Sequence, residues 1–214
     1  MPVAIHHLLL LCTISFAQCH TRKGGSSGRL SAVTEISERY ARLADAFAAK
    51  IAMVPEARWS APSPCAQWTA LDVVKHVIST QGMFVGFVGR EIGELPDPDD
   101  DPLAAWNVAR SVVQHDLEDP TRANAEFEGF AGKSTFEAAV GRFLCMDLVV
   151  HGWDLARAAG LDEEMEPEDI ARVSEQATAF GDMLRSPQAF GPEVVAPADA
   201  DDQVRLLAFL GRHA

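Results

Sequence analysis

The chain has no Cys-x-x-C pair, no block of Lys and Arg, no internal repeat and only one tyrosine among its 214 residues. Without Cys-x-x-C, neither a zinc knuckle nor a thioredoxin-like redox motif can be built. Its four cysteines, Cys12, Cys19, Cys65 and Cys145, stand singly, which fits reduced thiols rather than a disulfide framework. A formal net charge of −13 with no compensating basic cluster disfavours nucleic acid and anionic lipid as partners. Residues 1–33 hold Arg22, Lys23 and Arg29 and no acid, so the acidic excess lies wholly in the remainder. There is also no Ser-His-Asp order, phosphate loop or dinucleotide glycine motif. The acidic run Asp97 to Asp101 lacks the spacing and the glycine of an EF-hand and reads as a solvated turn.

The longest apolar run near the start, residues 8–17, spans about ten residues, half of what a bilayer crossing needs. It is similar to a signal-peptide core, and Ser15-Phe16-Ala17 would serve as a cleavage site, but no Lys or Arg precedes it. Lys23-Gly24-Gly25-Ser26-Ser27-Gly28 then reads as linker. Residues 1–33 are accordingly expected to be an extension outside the fold. The expected location is cytoplasmic, with export as the alternative if residues 1–20 are a true signal.

What is present is helical periodicity, in a chain of ordinary globular composition, 48% hydrophobic and 23% charged. Tyr40, Leu43, Phe47, Ile51 and Val54 recur at helical spacing until Pro55. A proline-rich connection leads to Trp68, and Thr69 with Asp72 resembles a capping box for a second helix over 70–92. A third helix is expected over 103–117, and a loop over 119–133 with an extended piece near Phe127. Ser134 or Thr135 starts a long fourth helix that ends at Gly160, a glycine placed for the left-handed conformation. Pro167 opens a fifth helix reaching about residue 184, and a short one covers 204–210. No strand is expected. The fold class is all-α, an antiparallel four-helix bundle with an extra C-terminal helix, over residues 34–214.

Two residues break the apolar stripe of the fourth helix. Phe136, Val140, Phe143, Leu144, Val150 and Ala158 define that stripe, and Asp147 and His151 fall within it, one turn apart. A carboxylate facing a core needs a cation, a metal ion or an opening to water. His76 lies at the edge of the second helix's apolar face, beside Val73, Val77 and Thr80. Two histidines and a carboxylate from facing helices suit zinc, nickel, iron or manganese and leave coordination positions open. The bland alternatives are an Asp147–His151 hydrogen bond within one helix and a satisfied core histidine at 76. Asp154, three residues after His151, could take the distal ring proton or instead pair with Arg157. Trp153 is a candidate pocket residue or simple packing, Trp68 a seat for the helix start, and His115 a helix-end residue favoured by the dipole. Cys145 projects about 160° from Asp147 around the helix and is no candidate nucleophile.

Asp147 to Ala158, with its His151-Gly152-Trp153-Asp154-Leu155-Ala156-Arg157-Ala158, resembles the signature of actinobacterial metal-binding proteins. These are related to the metal-binding domain of mycothiol-dependent maleylpyruvate isomerase, within the DinB-like superfamily. Trp59, the stretch from Pro62 to Cys65, and Trp68 through His76 to Val77 are similar to the family's second helix and its approach. Phe190-Gly191-Pro192-Glu193-Val194 and Arg205 to Arg212 are similar to its late loop and C-terminal signature. The resemblance covers about residues 34–214. It implies a bundle holding one divalent ion, zinc or nickel, through His76, Asp147 and His151. The isomerase has glutamate where this chain has Asp147, so the carboxylate reaches about one methylene less far; His213-Ala214 also departs from the usual ending.

By that resemblance the activity would be a transfer or isomerisation dependent on a low-molecular-weight thiol such as mycothiol. The isomerase carries a further C-terminal domain for which this chain has no room, so its own reaction is not expected here. The alternative class is a non-catalytic, metal-dependent stress or ligand-binding protein. Expected partners are a small thiol or an electrophilic substrate, but neither nucleic acid nor membrane; a homodimer is left open.

Overall fold

The structure, a computed structural model, describes residues 33–129, 132–185 and 190–214. The signal-like run and linker of residues 1–32 lie outside the described residues. Helix α1, Glu35–Met53, starts at Thr34, whose side chain accepts from the Ser37 amide at 3.1 Å. It buries Tyr40, Leu43, Ala44, Phe47 and Ile51 along one face. Helix α2, Ala70–Phe87, carries the expected capping box, with Thr69 and Asp72 satisfying each other's amides. It stops five residues short of the expected end, because Gly86 and Gly89 weaken the helix and Gly89 turns to φ +71°. Asp101 caps α3, Pro102–Glu118, with its proline in the first turn, and the single turn α4, Pro120–Ala123, follows.

The expectation of no strands fails at one place. Glu126–Gly129 (β1) and Gly132–Thr135 (β2) pair as a small antiparallel hairpin, with Phe127 opposite Ser134. Eight residues cannot raise a strong period-two signal, and only Phe127 supplies apolar content. Thr135 then caps a long continuous helix: α5, Phe136–Ala139, a π turn at Val140–Leu144, and α6, Cys145–Ala159. It ends at Gly160 in the left-handed conformation, φ 73° and ψ 34°, as its sequence requires. Helix α7, Pro167–Phe180, leads into a 3₁₀ segment, Gly181–Arg185, and α8 spans Asp202–Phe209.

Helix α1 packs on α3 and α6, and α2 packs on the same two, so these four close a bundle. Helix α7 joins α8 and also touches α6. The core is aromatic at its centre. Phe47 and Trp106 meet edge to face at 5.1 Å, and the Trp106 indole donates to the Ala44 carbonyl at 3.2 Å. Each such ring contributes about 1.5–3 kcal/mol by leaving water. One buried polar pair links α1 to α2: the Tyr40 hydroxyl donates to Gln81 Oε1 at 2.7 Å, and Gln81 Nε2 donates to the Val77 carbonyl.

Helix α6 is buried nearly all round rather than on one stripe, since only Asp147 and Arg157 escape burial. The π turn just before it inserts one extra residue per turn. It thereby resets which side of α6 faces α2, three residues ahead of Asp147; such turns recur at functional sites. No described helix is long and apolar enough to cross a membrane.

Candidate metal centre

His76 from α2 and Asp147 and His151 from α6 converge. His151 Nε2 lies 3.3 Å from Asp147 Oδ1, and His76 Nε2 lies 3.8 Å from the same oxygen. One donor atom from each residue falls within 4.8 Å of the other two. Four-coordinate ions with ligands at about 2.0–2.2 Å need donor atoms roughly 3.3–3.6 Å apart, so this spacing is close to closure. The second carboxylate oxygen, Asp147 Oδ2, is buried without a hydrogen-bond partner among the described residues. A buried, unpaired carboxylate oxygen is costly, and a cation is the natural remedy. The three residues therefore fit a divalent ion on chemistry as well as on spacing.

Exposure is graded across the cluster. The side chain of His151 is 7% exposed, that of Asp147 18% and that of His76 31%, so the centre opens on the His76 side. The Trp68 ring stands beside this opening, 4.7 Å from the His76 ring and 5.9 Å from that of His151. Thr80, one turn after His76, donates to the His76 carbonyl at 2.9 Å and lies 3.4 Å from its Nε2.

Behind His151 sits a second set of groups. Its Nδ1 lies 2.9 Å from Asp154 Oδ2, the arrangement that leaves a proton on Nδ1 and frees Nε2 for a ligand role. Asp154 is fully buried and receives both arms of Arg212: Nε at 3.2 Å on Oδ1 and an Nη at 2.8 Å on Oδ2. Cys65 completes the set, its thiol donating to Asp154 Oδ2 at 3.2 Å and accepting from Arg212 at 3.4 Å. The pairing of Asp154 with Arg157 does not occur, since Arg157 bonds Glu163 instead.

The charges of these groups balance against one another. Burial works against ionisation of Asp147, but His151 and His76 outweigh it and hold the carboxyl below its usual range. Burial likewise disfavours a charged His151, yet Asp147, Asp154 and Cys65 together raise its pKa well above the ordinary imidazole value. Asp154, opposed by burial and favoured by His151 and Arg212, is held down to about 2. Cys145, by contrast, is buried in the core, and that burial pushes its thiol up to about 11.

A second triplet, Cys65, His151 and Asp154, also places three donor atoms together. The Arg212 guanidinium already occupies both Asp154 oxygens and touches the Cys65 sulfur, so a cation there would meet a fixed positive charge. Among the described residues, the His76 side of His151 has no such cation. That asymmetry selects the first triplet.

Trp153 stands apart from the centre. It is 2% exposed, and two residues from His151 on a helix means roughly 200° around it, so its ring enters the core. The aromatic at the opening is Trp68. His115 sits exposed in the last turn of α3, and the acidic turn caps α3 through Asp101 and pairs Asp99 with Lys75. Cys65 and Arg212 escaped a reading by spacing, because neither shares an element with the cluster. Their signal lay in the short stretches ending at Cys65 and Arg212 that resemble the metal-binding family.

The loop between α1 and α2 explains how Cys65 and Trp68 arrive. Pro62 and Thr69 form an isolated antiparallel bridge, the Ser63 amide bonds the Trp68 carbonyl, and the Trp68 amide bonds the Cys65 carbonyl. Gln67 takes φ +69°, the only non-glycine among the described residues to do so, and this sharp turn closes the loop.

A helical bundle with a two-histidine, one-carboxylate cluster across two of its helices is thus the class defined by fold and site. Residues 40–156 match the family of the mycothiol maleylpyruvate isomerase N-terminal domain, and the chain belongs to that family. The match runs from α1 into α6 and includes Cys65, His76, Asp147, His151 and Asp154, while Arg212 lies beyond it. Uncharacterized proteins from two strains of Mycobacterium tuberculosis are 30% identical over 173 residues, covering 80% of this chain and 94% of each relative. No solved structure matches the chain.

Proposed function

We propose that the chain binds one divalent ion, zinc or alternatively nickel, through His76, Asp147 and His151, and uses it with a low-molecular-weight thiol in a transfer or isomerisation. The observation that carries this reading is the convergence of three donor atoms from two helices around a buried, partnerless carboxylate oxygen. The thiol comes from the family, whose description names a mycothiol maleylpyruvate isomerase. When bound, such an ion supplies positive charge that lowers the pKa of a coordinated thiol or water.

The chain's own groups supply the rest. Asp154 keeps the Nδ1 proton of His151 in place, so the ring offers its other nitrogen as a neutral donor. Asp147 contributes the one negative charge, leaving a two-histidine centre with residual positive charge and open positions. His76, the most exposed of the three, marks the side from which a small molecule enters, and Trp68 gives that entrance an apolar wall.

Elemental analysis of untagged protein tests the ion: about one equivalent per chain is expected, lost in both His76→Ala and His151→Ala. Full retention in both variants sinks the assignment. Thiol consumption against a panel of electrophiles tests the chemistry. Metallated protein that consumes no thiol, and whose His76→Ala variant loses only melting temperature, would make the ion structural.

A further inference from the structure

We infer that Arg212, the third residue from the end of the sequence, is a positioning residue of the metal centre. Its guanidinium fixes Asp154, and Asp154 in turn fixes the His151 ring with Nε2 facing Asp147 and His76. The inference rests on the proposed metal reading and adds a residue that lies outside the family match.

The geometry runs in one line. Arg212 is 7% exposed and makes a two-armed contact with a carboxylate that has no exposure at all. That same carboxylate receives His151 Nδ1 at 2.9 Å. An isolated buried carboxylate could rotate, or could share the ring proton on either oxygen. A guanidinium fork removes that freedom, because it demands both oxygens in its own plane. Asp154 then has one orientation, and so does the imidazole bonded to it.

The guanidinium is itself held on two further sides: one Nη donates to the Leu210 carbonyl at 2.8 Å, and the Phe190 ring lies under it at 4.9 Å. The backbone below is anchored too, the Arg212 amide donating to the Leu207 carbonyl at 2.8 Å. Gly211 makes the approach possible. It takes φ +78°, and a Cβ there would lie 2.9 Å from the Pro192 carbonyl oxygen. The chain thus turns sharply after α8 and delivers Arg212 beneath α6. A guanidinium needed only to neutralise Asp154 would not require so tight a cradle.

Charge supports the same assignment: the Arg212 guanidinium is a permanent cation set on an Asp154 carboxylate that has no exposure.

The test is Co(II) and Zn(II) titration of metal-free, full-length protein, comparing wild type with Arg212→Met and Arg212→Lys. Thermal melts and the His151 ring nitrogen signals by NMR are recorded in parallel. Arg212→Met should bind about 10- to 100-fold more weakly, the range typical of lost outer partners of ligating histidines. Arg212→Lys should fall between, since an ammonium cannot grip both oxygens in one plane. In metallated wild type the His151 signals should report a proton on Nδ1, and that signature should weaken in both variants. Should Arg212→Met fail to fold, Arg212→Lys alone decides. Wild-type affinity with an unchanged His151 signature in either folded variant overturns the inference, whatever happens to the melting temperature. Absence of binding by wild type itself is a different result: it refutes the metal reading, and this inference with it.

Discussion

His151 presents a ring nitrogen to each of two aspartates, and its Nδ1 lies 2.9 Å from Asp154 Oδ2 on the next turn of the same helix. This contact orients the ring so that Nε2 falls 3.3 Å from Asp147. One helix therefore supplies a ligand candidate, its orienting partner and a second ligand candidate within eight residues.

Asp147→Asn keeps the shape and removes the charge. Metal affinity should drop by more than the about 10- to 100-fold typical of an outer partner, because the only anionic donor is lost. Asp147→Glu should retain binding, since it lengthens the same carboxylate by one methylene. Competition against a chromophoric chelator measures both. Equal affinity of Asp147→Asn and wild type would remove Asp147 from the ligand set.

Acid and alkali should destabilise the metal-free protein for opposite reasons. Asp154 has a folded pKa of about 2, below the ordinary carboxylate value. Its contribution is therefore present above about pH 4 and lost as pH falls toward about 2. His151 is raised in the folded state, so its contribution is complete below about pH 6.5 and lost as pH rises through the raised value. Added zinc should reverse the alkaline loss, because metal takes the place of the ring proton and binds more tightly as pH rises. Thermal melts across pH with and without zinc check this. A metal-free melting temperature that climbs steadily from neutral into alkaline pH would contradict it.

Trp153 and Trp106 should respond differently to phenylalanine. The Trp153 indole nitrogen has no partner among the described residues, whereas the Trp106 nitrogen donates to Ala44. Trp153→Phe should cost about 1–3 kcal/mol for the buried ring volume it removes and leave metal affinity unchanged. Trp106→Phe should cost about 1 kcal/mol more through the lost hydrogen bond. Urea unfolding of both variants decides, and a loss of metal affinity in Trp153→Phe would restore a site role to that ring.

Tyr40→Phe should cost about 1–3 kcal/mol, because it strands the buried Oε1 of Gln81 in the core. Little change in unfolding free energy would mean that Gln81 finds another donor.

Gly211→Ala should lower the melting temperature and weaken metal binding together. The substitution forces a side chain into the left-handed region and against the Pro192 carbonyl, costing about 1–3 kcal/mol and displacing Arg212. Gly160→Ala makes a useful comparison, for it strains a helix end at φ +73° where, among the described residues, a Cβ would touch only the Arg58 side chain. Gly160→Ala should lose stability and keep metal affinity. Identical behaviour of the two variants would separate the C-terminal turn from the centre.

Much of this was legible residue by residue. Thr69 with Asp72, Pro167 and Gly160 mark helix ends because caps act within four residues, and the structure places ends at all of them. The glycines after residue 82 were the warning that α2 would stop early, and the hairpin at 126–135 was too short to show a period. The π turn was not legible at all. It changes the hydrogen-bond step from four residues to five, which leaves no compositional mark.

For the centre, the sequence by itself determined that Asp147 and His151 share one surface and that Asp154 lies within reach of His151. Helix geometry sets those relations at spacings of three and four, whatever the rest of the chain does. Only the tertiary structure decided that His76 faces them, that Arg212 rather than Arg157 holds Asp154, that Cys65 joins that contact, and that Trp153 turns away while Trp68 lines the opening. Those outcomes depend on loop closure and on the packing of α2, α6 and α8. The contacts that set them join residues as many as 147 positions apart, and no local spacing encodes them.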